Sequence, residues 1–159
     1  MANTYTQIYI HVVFAVRGRF NLIRREHNDE LQKYITGIVS AQKQKLIAIN
    51  NRPDHMHILL GQKPTIALSD LVGKVKSGSS GFINRCGWVR VRFEWQEGFG
   101  AFSHSHSQLG QVIRYIQNQE KHHHRRTFRE EYLQLLKKFQ VSFDERYLFT
   151  PVEMDGSEG

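Results

Sequence analysis

Residues 46–61 read LIAINNRPDHMHILLG, and this stretch decides the fold. Two apolar runs of strand length flank a Pro-Asp turn, which is typical of a β-hairpin. Side chains alternate along a strand, so His55 and His57 project from one face, about 6.6–7 Å apart along the backbone. The opposite face of this strand is apolar, with Met56, Ile58 and Leu60. The hairpin therefore predicts a sheet that is buried on one face and carries two imidazoles on the other.

The segments on either side of the hairpin complete an α+β pattern. Residues 5–16 alternate as a strand, whose apolar face runs from Ile8 to Val16 and whose other face carries Gln7, Tyr9 and His11. The other predicted elements are strands at 46–51, 55–61 and 89–95, and helices at 25–44, from near Ser69 to a loosening at Gly78–Gly81, at 108–124 and at 127–138. The order β-α-β-β-α-β-α predicts an antiparallel sheet with packed helices, as in ferredoxin-like or RNA-recognition-like folds.

Length and composition restrict the class of protein. A chain of 159 residues fits one domain, which we place at residues 1–150, followed by a flexible acidic tail at 151–159. No apolar run approaches the ~20 residues that span a bilayer, and the N-terminus lacks a secretory pattern. The single cysteine, Cys86, excludes an intramolecular disulfide. We therefore expect a cytoplasmic protein without a membrane partner.

The charge balance favours an anionic partner. The chain has 22 basic and 15 acidic residues, a net charge of +7 at pH 7. A basic protein attracts polyanions because each neutralised phosphate releases condensed counterions. A solubilising surface would show the same excess, so the charge indicates nucleic acid only together with a site.

The two strand histidines are a candidate metal site. Two imidazoles on one face can ligate one ion, and a rigid strand suits a catalytic site. The alternative is a pair of partly exposed strand histidines without a ligand. His104 and His106 share the spacing but stand among serines before a helix start, so we predict a loop there. The role of that second pair stays open.

The predicted helix at 108–124 carries a candidate nucleophile. Leu109, Val112, Ile113 and Ile116 form its apolar stripe, at about 100° per residue. Tyr115, Gln119 and His122 lie together at the edge of this stripe, at spacings i, i+4 and i+7. A tyrosine in this position is often a packing residue. The amide and imidazole one and two turns away favour a functional role.

Taken together, these motifs resemble those of the single-tyrosine HUH transposases of the insertion-sequence 200/605 group. The resemblance rests on the His-hydrophobic-His strand after a Pro-Asp turn and on Tyr-x-x-x-Gln on a basic helix about 60 residues later. Two further matching stretches are residues 95–103, WQEGFGAFS, and residues 115–123, YIQNQEKHH. The resemblance spans residues 5–149.

The resemblance implies an enzyme that cuts and rejoins single-stranded DNA at insertion-sequence ends. Tyr115 would be the nucleophile, leaving a 5′-phosphotyrosine and a free 3′-hydroxyl. His55 and His57 would ligate a divalent metal, Mg²⁺ or Mn²⁺, with Gln119 as third ligand, unless His122 or His123 replaces it. The family also implies subterminal DNA hairpins as substrate and a homodimer whose active sites are shared between subunits.

Basic and hydroxyl side chains are candidates for contacting DNA phosphates. The main set is Lys63, Lys74, Lys76, Ser77, Arg90 and Arg92, with Arg85, Ser79 and Ser80 as further candidates. Three other functions stay open: an HUH relaxase or replication initiator, a non-catalytic RNA-recognition-like module and a structural zinc site. The RNA-binding module would use Tyr9 and His11 for stacking. The zinc site would use His104, His106, His122 and His123.

Overall fold

Alternating apolar residues build the sheet in the computed structural model, which describes residues 3–123 and 126–148. Its strands are β1 (Tyr9–Ala15), β2 (Lys45–Arg52), β3 (His55–Gly61) and β4 (Gly100–His104). They lie in the order β2-β3-β1-β4, and every neighbouring pair is antiparallel. This is the ferredoxin-like arrangement, so the predicted α+β class is confirmed, with His57 opposite Val13 and His55 opposite Ala15.

Five α-helices cover both faces of the sheet within the described residues. They are α1 (Asn28–Ala41), α2 (Leu68–Cys86), α3 (Leu109–Gln117), α4 (Gln119–His123) and α5 (Phe128–Lys138). Helices α1 and α2 bury the main core, which includes Met56, Ile58 and Leu60. Helices α3 and α5 lie on the other face, the one that carries the two histidines. Two helical layers therefore enclose the sheet.

The predicted strand at 89–95 is wrong, and the fourth strand is β4. Only one isolated bridge, Val16 to Trp95, joins the 89–95 segment to the sheet in the described part of the chain. Asn84 of α2 instead clamps the backbone of Phe93, donating to its carbonyl at 3.0 Å and accepting from its amide at 2.8 Å. The alternating apolar residues thus pack under α2 without pairing as a strand, while the less apolar residues 100–104 pair with β1.

The predicted loosening at Gly78–Gly81 is also wrong, because α2 continues to Cys86. Small residues here allow close packing: a Cβ on Gly78 would lie 2.7 Å from Ile38 Cδ1 on α1. Ser79 is buried, and its hydroxyl donates to the Val75 carbonyl at 2.6 Å. The helix ends at Cys86 because the next residue, Gly87, takes the left-handed conformation (φ 65°) that favours glycine.

The remaining predictions about the chain have mixed outcomes. The helix expected at 108–124 divides at Asn118 into α3 and α4, and the helix expected at 127–138 is α5. No helix among the described residues is long and apolar enough to cross a membrane. The predicted acidic tail at 151–159 lies outside the described residues.

Candidate metal and nucleophile site

The two histidines of β3 lie side by side on the face predicted for them, but they are buried, each with 0% exposure. The His55 Nδ1 atom lies 2.6 Å from a carboxylate oxygen of Asp54. Burial lowers the pKa of His55 to about 4, although the Asp54 hydrogen bond raises it. A carboxylate on Nδ1 orients the ring, so that Nε2 faces Gln119 and Glu131 and can act as a ligand. His55 is therefore a neutral imidazole near pH 7, the form that binds metals.

A buried carboxylate that is absent from the predicted site joins the two histidines. Glu131 of α5 has 0% exposure, and its Oε1 lies 2.9 Å from His57 Nε2 and 3.6 Å from His55 Nε2. The available signal is its place on the apolar stripe of α5, three residues after Phe128 and four before Leu135. An acid is rarely buried unless it is paired, so Glu131 belongs to the site.

Tyr115 reaches this cluster from α3. Its hydroxyl donates to Glu131 Oε2 at 2.5 Å and accepts from Arg126 Nη2 at 3.0 Å. Its ring lies edge-on to that of His57, with centroids 5.9 Å apart. Burial raises the pKa of the Tyr115 phenol, the negative charge of Glu131 raises it further, and Arg126 opposes the shift. The phenol is thus protonated at neutral pH. It lies between a hydrogen-bond acceptor, the Glu131 carboxylate, and a hydrogen-bond donor, the Arg126 guanidinium.

Gln119 also lies where the sequence predicts it, next to His55. Its side chain is fully buried, and its Oε1 lies 3.5 Å from His55 Nε2. Its Nε2 donates to the backbone carbonyl of Tyr115 at 3.3 Å. That contact turns the amide oxygen towards the histidines.

These side chains fit a divalent metal ion. Ligand atoms of His55, His57 and Glu131 all lie within 4.8 Å of one another. In the described part of the chain this is the one group of three or more His, Cys, Asp or Glu residues with such spacing. Imidazole nitrogens and oxygen donors together suit Mn²⁺ and related divalent ions, and Gln119 adds an amide oxygen nearby.

His11 is a second residue that the sequence analysis did not place in the site. It is 2% exposed, and its Nε2 lies 2.8 Å from His57 Nδ1. Burial lowers the pKa of His11 well below its ordinary value, and the neighbouring His57 lowers it further. His11 thus orients His57, and its ring is buried. That burial counts against the RNA-binding alternative, which needs exposed rings on central strands.

The second histidine pair is not part of the metal-ligand group, although the His104 ring lies 6.2 Å from that of His11. His104 is the last residue of β4, so the predicted loop begins only after it, and His106 starts a short 3₁₀ turn. Neither forms a potential metal site with other described residues. The side chains of His122 and His123, which the zinc alternative requires, lie outside the described residues.

The candidate DNA-contacting residues do not form one surface. Lys76, Ser77 and Arg92 line a cavity of about 630 Å³, together with Arg17 and Ser80. Its mouth is not purely basic, since it also includes Glu94 and Glu97. The structure places Lys63, Lys74 and Arg90 on exposed positions outside that cavity.

Two of these candidates have structural roles instead. The Lys76 Nζ donates to the backbone carbonyls of Gln96 at 2.6 Å and Gly98 at 2.9 Å, and burial lowers its pKa. The Ser79 hydroxyl is buried and accepts a hydrogen bond from the Trp95 indole at 2.9 Å. Ser79 is therefore no phosphate donor.

Helix α3, which carries Tyr115, packs on the sheet of the same chain, next to His55 and His57. Val112 and Ile116 of α3 are buried against Ala48 and Leu59 of the same sheet. The Asn50 amide donates to the Ile116 carbonyl at 2.9 Å, which fixes α3 over β2. The cluster is therefore complete within a single chain.

Comparisons with known proteins identify the family. A family model described as "Transposase IS200 like" matches residues 4–119. The chain is 28% identical over 74 residues to the ISDra2 transposase TnpA of Deinococcus radiodurans. That alignment covers 46% of this chain and 53% of the relative, so the chain spans about half the length of the curated relative it matches.

Two solved structures share the fold. One is the crystal structure of a protein from Deinococcus radiodurans R1 named as a transposase, with a TM-score of 0.60 and 22% identity, covering 75% of this chain and 95% of that one. The other is a REP-associated tyrosine transposase bound to a REP hairpin, with a TM-score of 0.57 and 17% identity, covering 77% of this chain and 73% of that one. Because the family model covers most of its length, this chain belongs to the IS200-like transposase family.

Proposed function

We propose that this protein is a transposase that cuts and rejoins single-stranded DNA through a covalent bond to Tyr115. The observation that carries the proposal is the contact network in which Tyr115, Glu131 and the two strand histidines meet in one buried cluster. Family membership supports DNA transposition as the reaction class. We place its action in the cytoplasm.

Bond making and breaking balance without an external energy source. The Tyr115 oxygen attacks the scissile phosphorus, a P–O bond forms, and the bond to the 3′-oxygen breaks. The 3′-hydroxyl leaves, and the 5′-phosphate stays on the tyrosine. A 3′-hydroxyl of another strand then attacks that phosphotyrosine, so the phosphodiester energy is conserved.

Charged neighbours of Tyr115 support the chemical step. Glu131 already accepts the phenolic hydrogen bond, so an acceptor for the proton stands beside the nucleophile. The Arg126 guanidinium lies 3.0 Å from the same oxygen, where it stabilises negative charge during attack and during release of the phenolate.

A divalent ion fits into the same proposal. His55, His57 and Glu131 would hold it, with Gln119 close enough to contribute its amide oxygen. When bound, such an ion supplies Lewis-acid polarisation of the scissile phosphate. We propose Mg²⁺ or Mn²⁺, because oxygen donors and an oxygen substrate suit both.

Folded single strands are the proposed substrate. The net charge of +7 favours a polyanion, and a structure with the same fold has a REP hairpin bound. We extend the family's hairpin substrate to this chain on that basis. The candidate phosphate contacts are Lys63, Lys74, Ser77, Arg90 and Arg92, with Lys76 restricted by its backbone bonds.

Cleavage of single-stranded DNA and of duplex DNA with the same sequence is compared to test this substrate. Overlapping single-stranded oligonucleotides that tile the DNA on both sides of the coding sequence are incubated with protein and Mn²⁺. We expect a protein–DNA adduct with at least one hairpin-forming strand and none with the same sequence as a perfect duplex, because attack needs an accessible phosphate. Binding should weaken steeply between 50 and 200 mM salt, by about 10³-fold if six phosphates are contacted. Efficient cleavage of the duplex would contradict the proposal.

Mixing two inactive chains tests whether sites are shared. The resemblance predicts a homodimer with shared sites, whereas the contacts of α3 with its own sheet favour a site within each chain. We therefore expect Tyr115→Phe protein mixed with His57→Ala protein to form no adduct. The homodimer itself stays a prediction, to be checked by light scattering. Partial recovery of activity in proven heterodimers would show that the tyrosine helix is exchanged.

A further inference from the structure

A second cavity opens directly beside the candidate nucleophile. It has a volume of about 340 Å³ and lies between α3, α5 and the β4 edge of the sheet. Ligand pockets typically have about 300–1,000 Å³, so this one suits a small ligand rather than a DNA hairpin. The side chains that matter for its chemistry are Tyr115, His104, Gln111, Lys138 and Phe139.

Two polar groups in this cavity lack protein partners. The Nε2 atom of His104 is buried and has no hydrogen-bond partner among the described residues. The Gln111 side-chain amide likewise makes no hydrogen bond within the described part of the chain, although it lies on the exposed side of α3. A buried polar atom without a hydrogen-bond partner destabilises the folded state. A ligand that forms a hydrogen bond with His104 would therefore stabilise the protein.

The other groups favour a flat, aromatic, anionic ligand. Phe139 meets His104 edge-to-face with ring centroids 5.3 Å apart, and the Tyr115 ring also lines the cavity. The Lys138 ammonium lies 5.8 Å from the Phe139 ring and supplies a positive charge. Aromatic rings, amide groups and a single cation are the combination that proteins use to hold a nucleotide, by stacking, edge hydrogen bonds and phosphate attraction.

We propose that this cavity holds one unpaired nucleobase of the bound strand, next to the phosphate that Tyr115 attacks. The inference rests on the proposed function, because it concerns the same strand. The base would hydrogen-bond to His104 and Gln111 and lie against Phe139, with its phosphate near Lys138. A free glutamine amide reads adenine best, through N6 and N7, so we expect adenine to bind most tightly.

Nucleotide binding tests the cavity without any cleavage. Each of the four deoxynucleoside 5′-monophosphates, and deoxyribose 5-phosphate, is titrated at millimolar concentrations into the full ¹⁵N-labelled protein. We expect dAMP to shift the side-chain amide signals of Gln111 in the NMR spectrum and to leave those of Gln117 in place. Gln111→Ala should weaken dAMP binding by roughly tenfold, the discrimination of one base contact. Gln117→Ala, on the same helix but outside the cavity, should bind dAMP like the parent protein.

The outcomes separate this inference from the proposed function. No shift of the Gln111 signals, or an equal shift with deoxyribose 5-phosphate, would overturn the nucleobase site. Tighter binding of another base, or equal weakening by Gln117→Ala, would overturn Gln111 as the reader of the base. An adduct at Tyr115 without dAMP binding rejects the cavity alone. Binding of dAMP without any adduct keeps the cavity and rejects the transposase chemistry.

Discussion

Tyr115→Phe is expected to abolish the covalent protein–DNA adduct while leaving the fold and hairpin binding intact. The substitution removes only the phenolic oxygen. Glu131 keeps His57 at 2.9 Å and Arg126 at 3.5 Å, so no buried carboxylate loses all its partners. Loss of a nucleophile typically costs about 10⁴–10⁶-fold, which places the adduct below detection.

The adduct assay has a matched control on the next helix. Tyr132→Phe removes another half-buried phenol, whose ring stacks on that of Phe128 with centroids 5.5 Å apart. That protein should form the adduct at the parent rate, as judged by denaturing gels and peptide mass spectrometry. An adduct mapped to another tyrosine would contradict the assignment; the alternatives are Tyr5, Tyr9, Tyr34, Tyr132 and Tyr147.

His57→Ala is expected to abolish both metal binding and cleavage. A ligand that binds only the folded state stabilises it, by about 2.7 kcal/mol at a hundred times the dissociation constant. Mn²⁺ should therefore raise the melting temperature of the parent protein and not that of His57→Ala. His106→Ala removes an exposed imidazole and is the matched control, for which the parent response is expected. Equal loss in both variants would contradict the metal site.

The His57 side chain is buried, so a destabilised variant needs a second measurement. Glu131→Gln keeps the volume of the side chain but removes its charge, and Gln119→Ala removes an amide oxygen. We expect Mn²⁺ affinity, measured by calorimetry, to fall about 10–100-fold in Glu131→Gln. Gln119→Ala should lose less, because its oxygen is neutral. The reverse ranking would favour Gln119 over Glu131 as the third ligand, as the sequence predicts.

The hairpin and most of the helices could be predicted from the sequence. In these elements the buried residues recur at the spacing of a strand or a helix, so the pattern shows within one short segment. The strand pattern of residues 55–61 places His55 and His57 on one face, and the structure agrees. The spacing of Tyr115 and Gln119 likewise predicts that both reach one site. Their proposed roles as nucleophile and ligand stay predictions.

Glu131 and His11 were missed because burial across the sheet decides their environment. Glu131 stands in the first turn of α5, where acids are common for helix-dipole reasons. Its spacing from Phe128 and Leu135 separates it from its exposed neighbour Glu130, but only the docking of α5 shows that this stripe meets the histidines. His11 lies on the face of β1 that also carries Tyr9, and the sequence of this face is polar. Helices α3 and α5 nevertheless cover it.

The fourth strand was predicted at the wrong place because alternating apolar residues indicate which side chains are buried, and not whether the backbone pairs with another strand. Phe93 and Trp95 are buried, as the pattern requires, yet their partner is α2. Residues 100–104, GAFSH, include glycine and serine and have weak strand preference, so only the free edge of β1 defines them as a strand.

The histidine–carboxylate–tyrosine cluster also has a consequence for how the protein is made. Its contacts join residues that are 46 and 74 positions apart in the chain, from His11 to His57 and from His57 to Glu131. Chains are synthesised from the N-terminus, so the sheet can form before α5 has left the ribosome. A shorter nascent chain would have both strand histidines and the tyrosine but no carboxylate to join them. The proposed catalytic site would therefore stay incomplete during translation until the segment carrying Glu131 has emerged.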